Sequence, residues 1–78
     1  MSIRAIITQA ASRFAVPQGE LLSPSRRREL AWPRQWVMFE AAAKGYTSRQ
    51  IAHALSRDHS TILEGIAAER ARREGSAS

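Results

Sequence analysis

Apolar residues recur at intervals of three and four through this chain. Ile3, Ile6, Ile7, Ala10, Ala11 and Phe14 form one such stripe. On a helix of about 3.6 residues per turn they share one face. The spacing returns at Val37, Met38, Ala41 and Ala42, again at Ile51, Ala52 and Leu55, and again at Ile62 and Ile66. The chain has 78 residues and no cysteine. No disulfide or thiolate metal site therefore supplements a core whose margin, at this size, is on the order of a few kcal/mol. The helical stripes must bury one another. The expectation is an all-α fold, one small helical domain over residues 1–74, with residues 75–78 as a flexible tail.

Caps and breakers divide the stripes. Ser2 is an N-cap for a helix from Ile3 to Ala15, and Val16, Pro17, Gln18 and Gly19 end it. Glu20, Leu21 and Leu22 form a single turn that drops both leucines onto the core. Ser23 to Glu29 is a polar loop carrying Arg26, Arg27 and Arg28. Pro33 suits the first position of a helix from Trp32 to Lys44, and Gly45 supplies a left-handed stop. Thr47 and Gln50 fit a capping box for a helix from Ser48 to Ser56. After a turn at Ser56 and Arg57, Asp58 caps a helix from His59 to Arg73, with Ile62, Leu63 and Ile66 inward. Trp32 and Trp36 flank Pro33 and Arg34, one for the core and one for the surface. Stacking of an indole on a base is the minor alternative.

Two helices joined by a short turn, the second opening on polar groups, make a helix-turn-helix pattern. The opening set is Arg57, Asp58, His59, Ser60 and Thr61. It combines donors, acceptors and a methyl group, which are what base discrimination in the major groove requires. The plain alternative is an ordinary capped surface helix. Net charge is +5, and Lys44 is the only lysine among twelve basic residues. Guanidinium forks suit phosphates and guanine edges, and a basic surface favours a polyanion. The three-arginine run has no periodicity that would hide it in a core, so it is solvated or touches an anion. Catalysis finds little support. His53 and His59 fall on different helices, and Asp58 and His59 project about 100° apart on one helix. No glycine-rich phosphate loop or carboxylate pair occurs, so no enzyme, cofactor or metal is expected. With no signal peptide and no apolar stretch near the roughly 18 residues of a membrane span, the expected location is the cytoplasm, at the nucleoid, with no membrane partner.

One family combines these features. Ser25 to Gln35 (with Pro33, Arg34 and Gln35 together), then Tyr46 to Ala52, then Arg57, Asp58, His59, Ser60, Thr61, Ile62 and Leu63 resemble the C-terminal DNA-binding domain of the bacterial replication initiator DnaA, in order and near its spacing. The resemblance covers Ile3 to Arg73. It implies a helix-turn-helix with a preceding basic loop that binds double-stranded DNA at a DnaA box. Asp58, His59, Ser60 and Thr61 would face base edges in the major groove, and Arg28 would enter the adjacent minor groove. Arg34, Gln35, Lys44, Ser48, Arg49 and Arg57 would lie near the phosphate backbone or support it, with Arg26 and Arg27 also on the backbone. Three departures stand out. The family commonly has two glycines before its Arg-Asp-His, where this chain has Ser56 alone. Ser60 replaces the usual threonine and lacks its methyl. The family's ATPase module has no counterpart, since no Walker motif is present.

The functional expectation is a stand-alone DnaA-box-like binder without ATPase activity. It would regulate replication initiation or transcription, in a phage or other mobile element, alongside host replication or transcription proteins. Two alternatives remain. One is an interaction module that kept the fold and binds protein through the basic loop or Trp32. The other is a general repressor with its own operator, as a dimer. The oligomeric state is open at this level.

Overall fold

The structure is a computed structural model and describes residues 2–76. Its elements are α1 (Ile3–Phe14), α2 (Gln18–Leu22), a 3₁₀ turn (Arg28–Leu30), α3 (Ala31–Ala43), α4 (Ser48–Leu55) and α5 (His59–Ser76). No strand occurs among the described residues. No described helix is long and apolar enough to cross a membrane.

Local chemistry explains most of the boundaries. The Ser2 hydroxyl accepts the Ala5 N–H at 3.2 Å and starts α1. α1 ends when Ala15 turns left-handed at φ 54°, and the Val16 N–H reaches the Ala11 carbonyl at 3.0 Å. α3 ends in the same way, with Gly45 at φ 96° and the Tyr46 N–H on the Ala41 carbonyl at 3.1 Å. This six-to-one bond closes the last turn and favours glycine at the left-handed residue. α4 opens on the capping box: the Gln50 N–H donates to Thr47 Oγ1 at 3.1 Å, and the Thr47 N–H donates to Gln50 Oε1 at 2.8 Å.

α3 is the central helix. α1 packs on it, α5 packs on it along a long contact, and α4 closes against α5. Ile6, Leu21, Leu30, Val37, Ile51, Leu55 and Ile62 meet with almost no exposure. Gly65 is the close point between α5 and α3, since a Cβ there would collide with Met38 Sδ. Trp36 packs edge-on to Phe14, centroids 6.2 Å apart. Trp32 is 60% exposed, with the Arg72 guanidinium 4.5 Å over its ring.

Three expectations need correction. Leu21 is buried but Leu22 is 40% exposed, because adjacent helical residues diverge by about 100° and one turn cannot bury both. Leu63 is half exposed for the same reason, since Ile62 and Ile66 already define the inward face. Pro33 is the third residue of α3 rather than its first, because the 3₁₀ turn runs directly into the helix. Its missing N–H still falls in the first turn, where no intrahelical carbonyl is available. α5 is helical from His59 to Ser76. The rest of the expected tail lies outside the described residues.

Candidate nucleic-acid interface

α4 and α5 are joined by Ser56, Arg57 and Asp58 alone. The reversal is made by one residue: Ser56 sits in the left-handed region at φ 54°, ψ 48°. The Ser56 N–H returns to the His53 carbonyl at 3.3 Å and the Arg57 N–H to the Ala52 carbonyl at 2.9 Å. A Cβ in that region costs about 1 kcal/mol relative to glycine. The short turn is thus feasible without glycine, at some strain.

The turn delivers four exposed side chains to the first turn of α5: Asp58, His59, Ser60 and Thr61. Asp58 sits at the cap position, and its carbonyl accepts the Ile62 N–H at 3.2 Å. Among the described residues no hydrogen bond or ion pair engages its carboxylate, so the expected side-chain cap is not made. His59 has a partner: its Nε2 lies 2.6 Å from Ser48 Oγ, at the start of α4. The spacing of eleven residues gave no hint of this contact.

The arginines divide by what they already hold. Arg34 is only 7% exposed. Its Nε donates to the Leu21 carbonyl at 3.0 Å and its Nη1 to the Ser25 carbonyl at 2.7 Å. Its Nη2 donates to the carbonyls of Glu20 and Ser23, each at 2.8 Å. Burial first, and then the nearby Arg57 charge, lowers its pKa from the ordinary arginine value. Arg34 thus falls among the supporting residues and presents no free guanidinium to a phosphate. The physical reason is that the end of α2 and the basic loop leave four inward carbonyls, and this side chain is their donor. Arg57 completes the arrangement, with Nη2 on the Ser23 carbonyl at 2.7 Å and Nη1 on those of Leu55 and Ser56 at 3.2 and 3.3 Å. One carbonyl, that of Ser23, therefore holds the basic loop to both α3 and the helix-turn-helix.

Within the run, Arg27 is committed. It binds Glu29 at 2.7 Å and Glu20 at 3.2 Å. The hydrogen bond it donates to Glu29, then the Glu20 charge, raises its pKa. The Glu29 carboxyl is lowered, first by its own backbone N–H and then by Arg27. Arg26, Arg28 and Arg49 are exposed, and among the described residues no ion pair neutralises them. Lys44 is paired with Glu40 at 3.4 Å. It stands about 15 Å along α3 from Arg34 by helical rise, so the two do not form one cluster. Gln35 is half-buried, and its Oε1 is buried without a partner.

At the other end of α5 a separate network forms. Buried Glu69 binds Arg72 and, at 2.7 Å, Arg73, which also reaches Glu40 at 2.8 Å. Sequence reasoning missed this network. The spacing of Glu69 to Arg72 and Arg73 signalled the local part, but nothing in the sequence pointed to Glu40. Among the described residues no group of three potential metal ligands occurs.

Comparison with known proteins agrees with this geometry. Residues 3–68 match the family described as bacterial dnaA protein helix-turn-helix. The chain is 38% identical over 68 residues to the chromosomal replication initiator protein DnaA of Oleidesulfovibrio alaskensis, covering 86% of this chain and 15% of that protein. It is 35% identical over 63 residues to the protein of the same name from Thermomicrobium roseum, covering 78% of this chain and 14% of that one. The chain therefore spans a small part of the length of these relatives. No solved structure matches it significantly.

Proposed function

The chain belongs to the bacterial DnaA helix-turn-helix family, and from that membership we propose that it binds double-stranded DNA in a sequence-specific manner at a DnaA-box-like site. The observation that carries the proposal is the joint geometry of loop and motif. Asp58, His59, Ser60 and Thr61 are exposed at the start of α5, and the Ser23 carbonyl, held by Arg57 and Arg34, ties the loop bearing Arg28 to the same turn. A recognition helix in the major groove with an arginine entering the neighbouring minor groove is a two-groove reader. Arg26 and Arg49, exposed and unpaired, supply phosphate contacts. Asp58 repels phosphate, so its place at such a surface is explained by a base amine donor such as that of cytosine.

The role is regulation of replication initiation or transcription by occupying sites. The mechanism is binding and not catalysis, without ATPase activity. The test is competitive binding of the chain to a DnaA box, to single-base substitutions of it and to scrambled duplex, at stated salt. A preference for the box, lost on particular substitutions, is expected. Equal affinity for every duplex would defeat the specific reading and leave the exposed Trp32 surface, and hence protein binding, as the leading role.

A further inference from the structure

The first residues of the two helices of the motif touch each other. Ser48 Oγ lies 2.6 Å from His59 Nε2, and neither side chain makes another hydrogen bond among the described residues. We propose that Ser48 is a positioning residue that fixes the tautomer of His59, so that the imidazole turns an Nδ1–H donor towards DNA. The proposal rests on the reading above that His59 faces base edges.

The contact occupies Nε2 and leaves Nδ1 as the only ring nitrogen available to a ligand. A neutral imidazole has one N–H and one lone pair, so whatever Nε2 does dictates what Nδ1 offers. The 2.6 Å separation lies at the hydroxyl-donor end of the range, since O–H donors sit at about 2.7–2.8 Å and N–H donors at about 2.9–3.0 Å. The proposal takes Ser48 as the donor to Nε2 and so places the ring proton on Nδ1. Such a donor matches purine N7, guanine O6 or thymine O4, and it mismatches the amine of cytosine or adenine. The hydroxyl is well placed to enforce this. Ser48 is the first residue of α4, and the capping box of Thr47 and Gln50 fixes the backbone on which it stands. Arg57, by clamping the turn to Ser23, keeps α5 from drifting away. Next to Asp58, an acceptor, His59 as an obligate donor gives the pair opposite preferences at adjacent positions of the helix.

Two measurements test the proposal independently. The first is the nitrogen-15 shifts of the His59 ring in the free protein at about pH 8, where an ordinary imidazole is neutral. Wild type should show protonated Nδ1 and a lone pair on Nε2. Ser48→Ala should show a mixture of tautomers, and Ser48→Thr, which keeps the hydroxyl, should restore the wild-type pattern. The second is binding to box duplexes with one acceptor deleted at a time: N7 by 7-deazapurines, guanine O6 by 2-aminopurine, thymine O4 by 5-methyl-2-pyrimidinone. Wild type and Ser48→Thr should lose about two- to tenfold at one position, the scale of a single hydrogen bond. His59→Ala and Ser48→Ala should lose that sensitivity, so that each binds the intact and the deleted box equally. Protonated Nε2 in the wild type, or a Ser48→Ala protein with unchanged tautomer and unchanged sensitivity, overturns the proposal. If the tautomers behave as stated but no deletion separates wild type from His59→Ala, base reading by His59 is what has failed, and the role of Ser48 towards DNA falls with it.

Discussion

The two ends of α5 hold arginine in opposite circumstances. At its C-terminal end Arg72 and Arg73 bind Glu69 and Glu40, and Arg73 also stacks 4.0 Å over Phe39. Towards its N-terminal end, about 20 Å away by helical rise, Arg26 lies beside Arg57 and, like Arg28 and Arg49 elsewhere on the surface, faces water with no carboxylate partner among the described residues. Between these extremes stand Arg34 and Arg57, whose donors are filled by main-chain carbonyls. Eleven arginines in a chain of net charge +5 are therefore not one population. A guanidinium that already holds a carboxylate has spent its charge locally and adds little to an attraction for phosphate. One that holds carbonyls keeps its charge but cannot move to meet a ligand. Only the unpaired, exposed group can do both. The run of three shows the same rule at short range, since Arg27 is paired with Glu29 and Glu20 and its two neighbours are not.

The largest expected effect comes from the middle class. Arg34→Met would take the side-chain donor from the Leu21 and Ser25 carbonyls and one of the donors from those of Glu20 and Ser23 in a nearly dry site, and should destabilise the fold by about 3 kcal/mol, given the cost of unmade bonds to a charged donor. For a domain of this size each kcal/mol moves the midpoint by roughly 4–8 °C, so thermal melting reads it directly. An unchanged midpoint with weakened DNA binding would return Arg34 to the phosphate-contacting class.

Next comes the exposed class. Arg28→Ala should cost about 1–3 kcal/mol at the box and flatten the slope of log affinity against log salt by up to about 1, with the melting midpoint unmoved. Arg73→Ala should do the reverse, costing about 1 kcal/mol of stability and leaving the salt slope as it is. If both variants shift the slope equally, the division between unpaired and paired arginines is wrong.

Ser56→Gly removes a Cβ from a left-handed residue and should stabilise by about 1 kcal/mol or less, after allowing for the greater freedom of glycine in the unfolded chain. A loss of stability would mean that the turn is not built as described. The smallest effect concerns acid. Burial acts upward on the Glu40 carboxyl, but the Arg73 hydrogen bond and charge, helped by Lys44, outweigh it and hold the pKa below its ordinary value. A depressed carboxyl adds stability above its unfolded pKa, about 4.3, and that stability is lost as pH falls through the folded value. Glu40→Gln should therefore lower stability at neutral pH by a fraction of a kcal/mol, about what an exposed pair contributes, and the difference from wild type should vanish once the pH has fallen through the folded pKa. A gap that persists unchanged into acid would assign the effect to packing against Arg73 and not to charge.

The sequence alone determined the helices, because their signals are local. The stripe from Ile3 to Phe14, the box of Thr47 and Gln50, and the glycine stop at residue 45 each act within one or two turns, and each appears where its spacing placed it. The motif residues that carry the family resemblance are also local strings, which is why the family was legible before any fold was known. Tertiary structure decided which arginine does what. Arg34 and Arg28 are the same residue type six positions apart, and nothing in the string separates a buried clamp from an exposed donor. The difference arises because α2 brings the carbonyls of Glu20, Leu21 and Ser23 against α3 at Arg34, while the 3₁₀ turn leaves Arg28 outward. Likewise Ser48 and His59 meet, and Gly65 comes to lie against Met38, only because α4, α5 and α3 converge. Contacts between residues far apart in the chain depend on how rigid elements dock, and docking is set by the whole apolar surface at once.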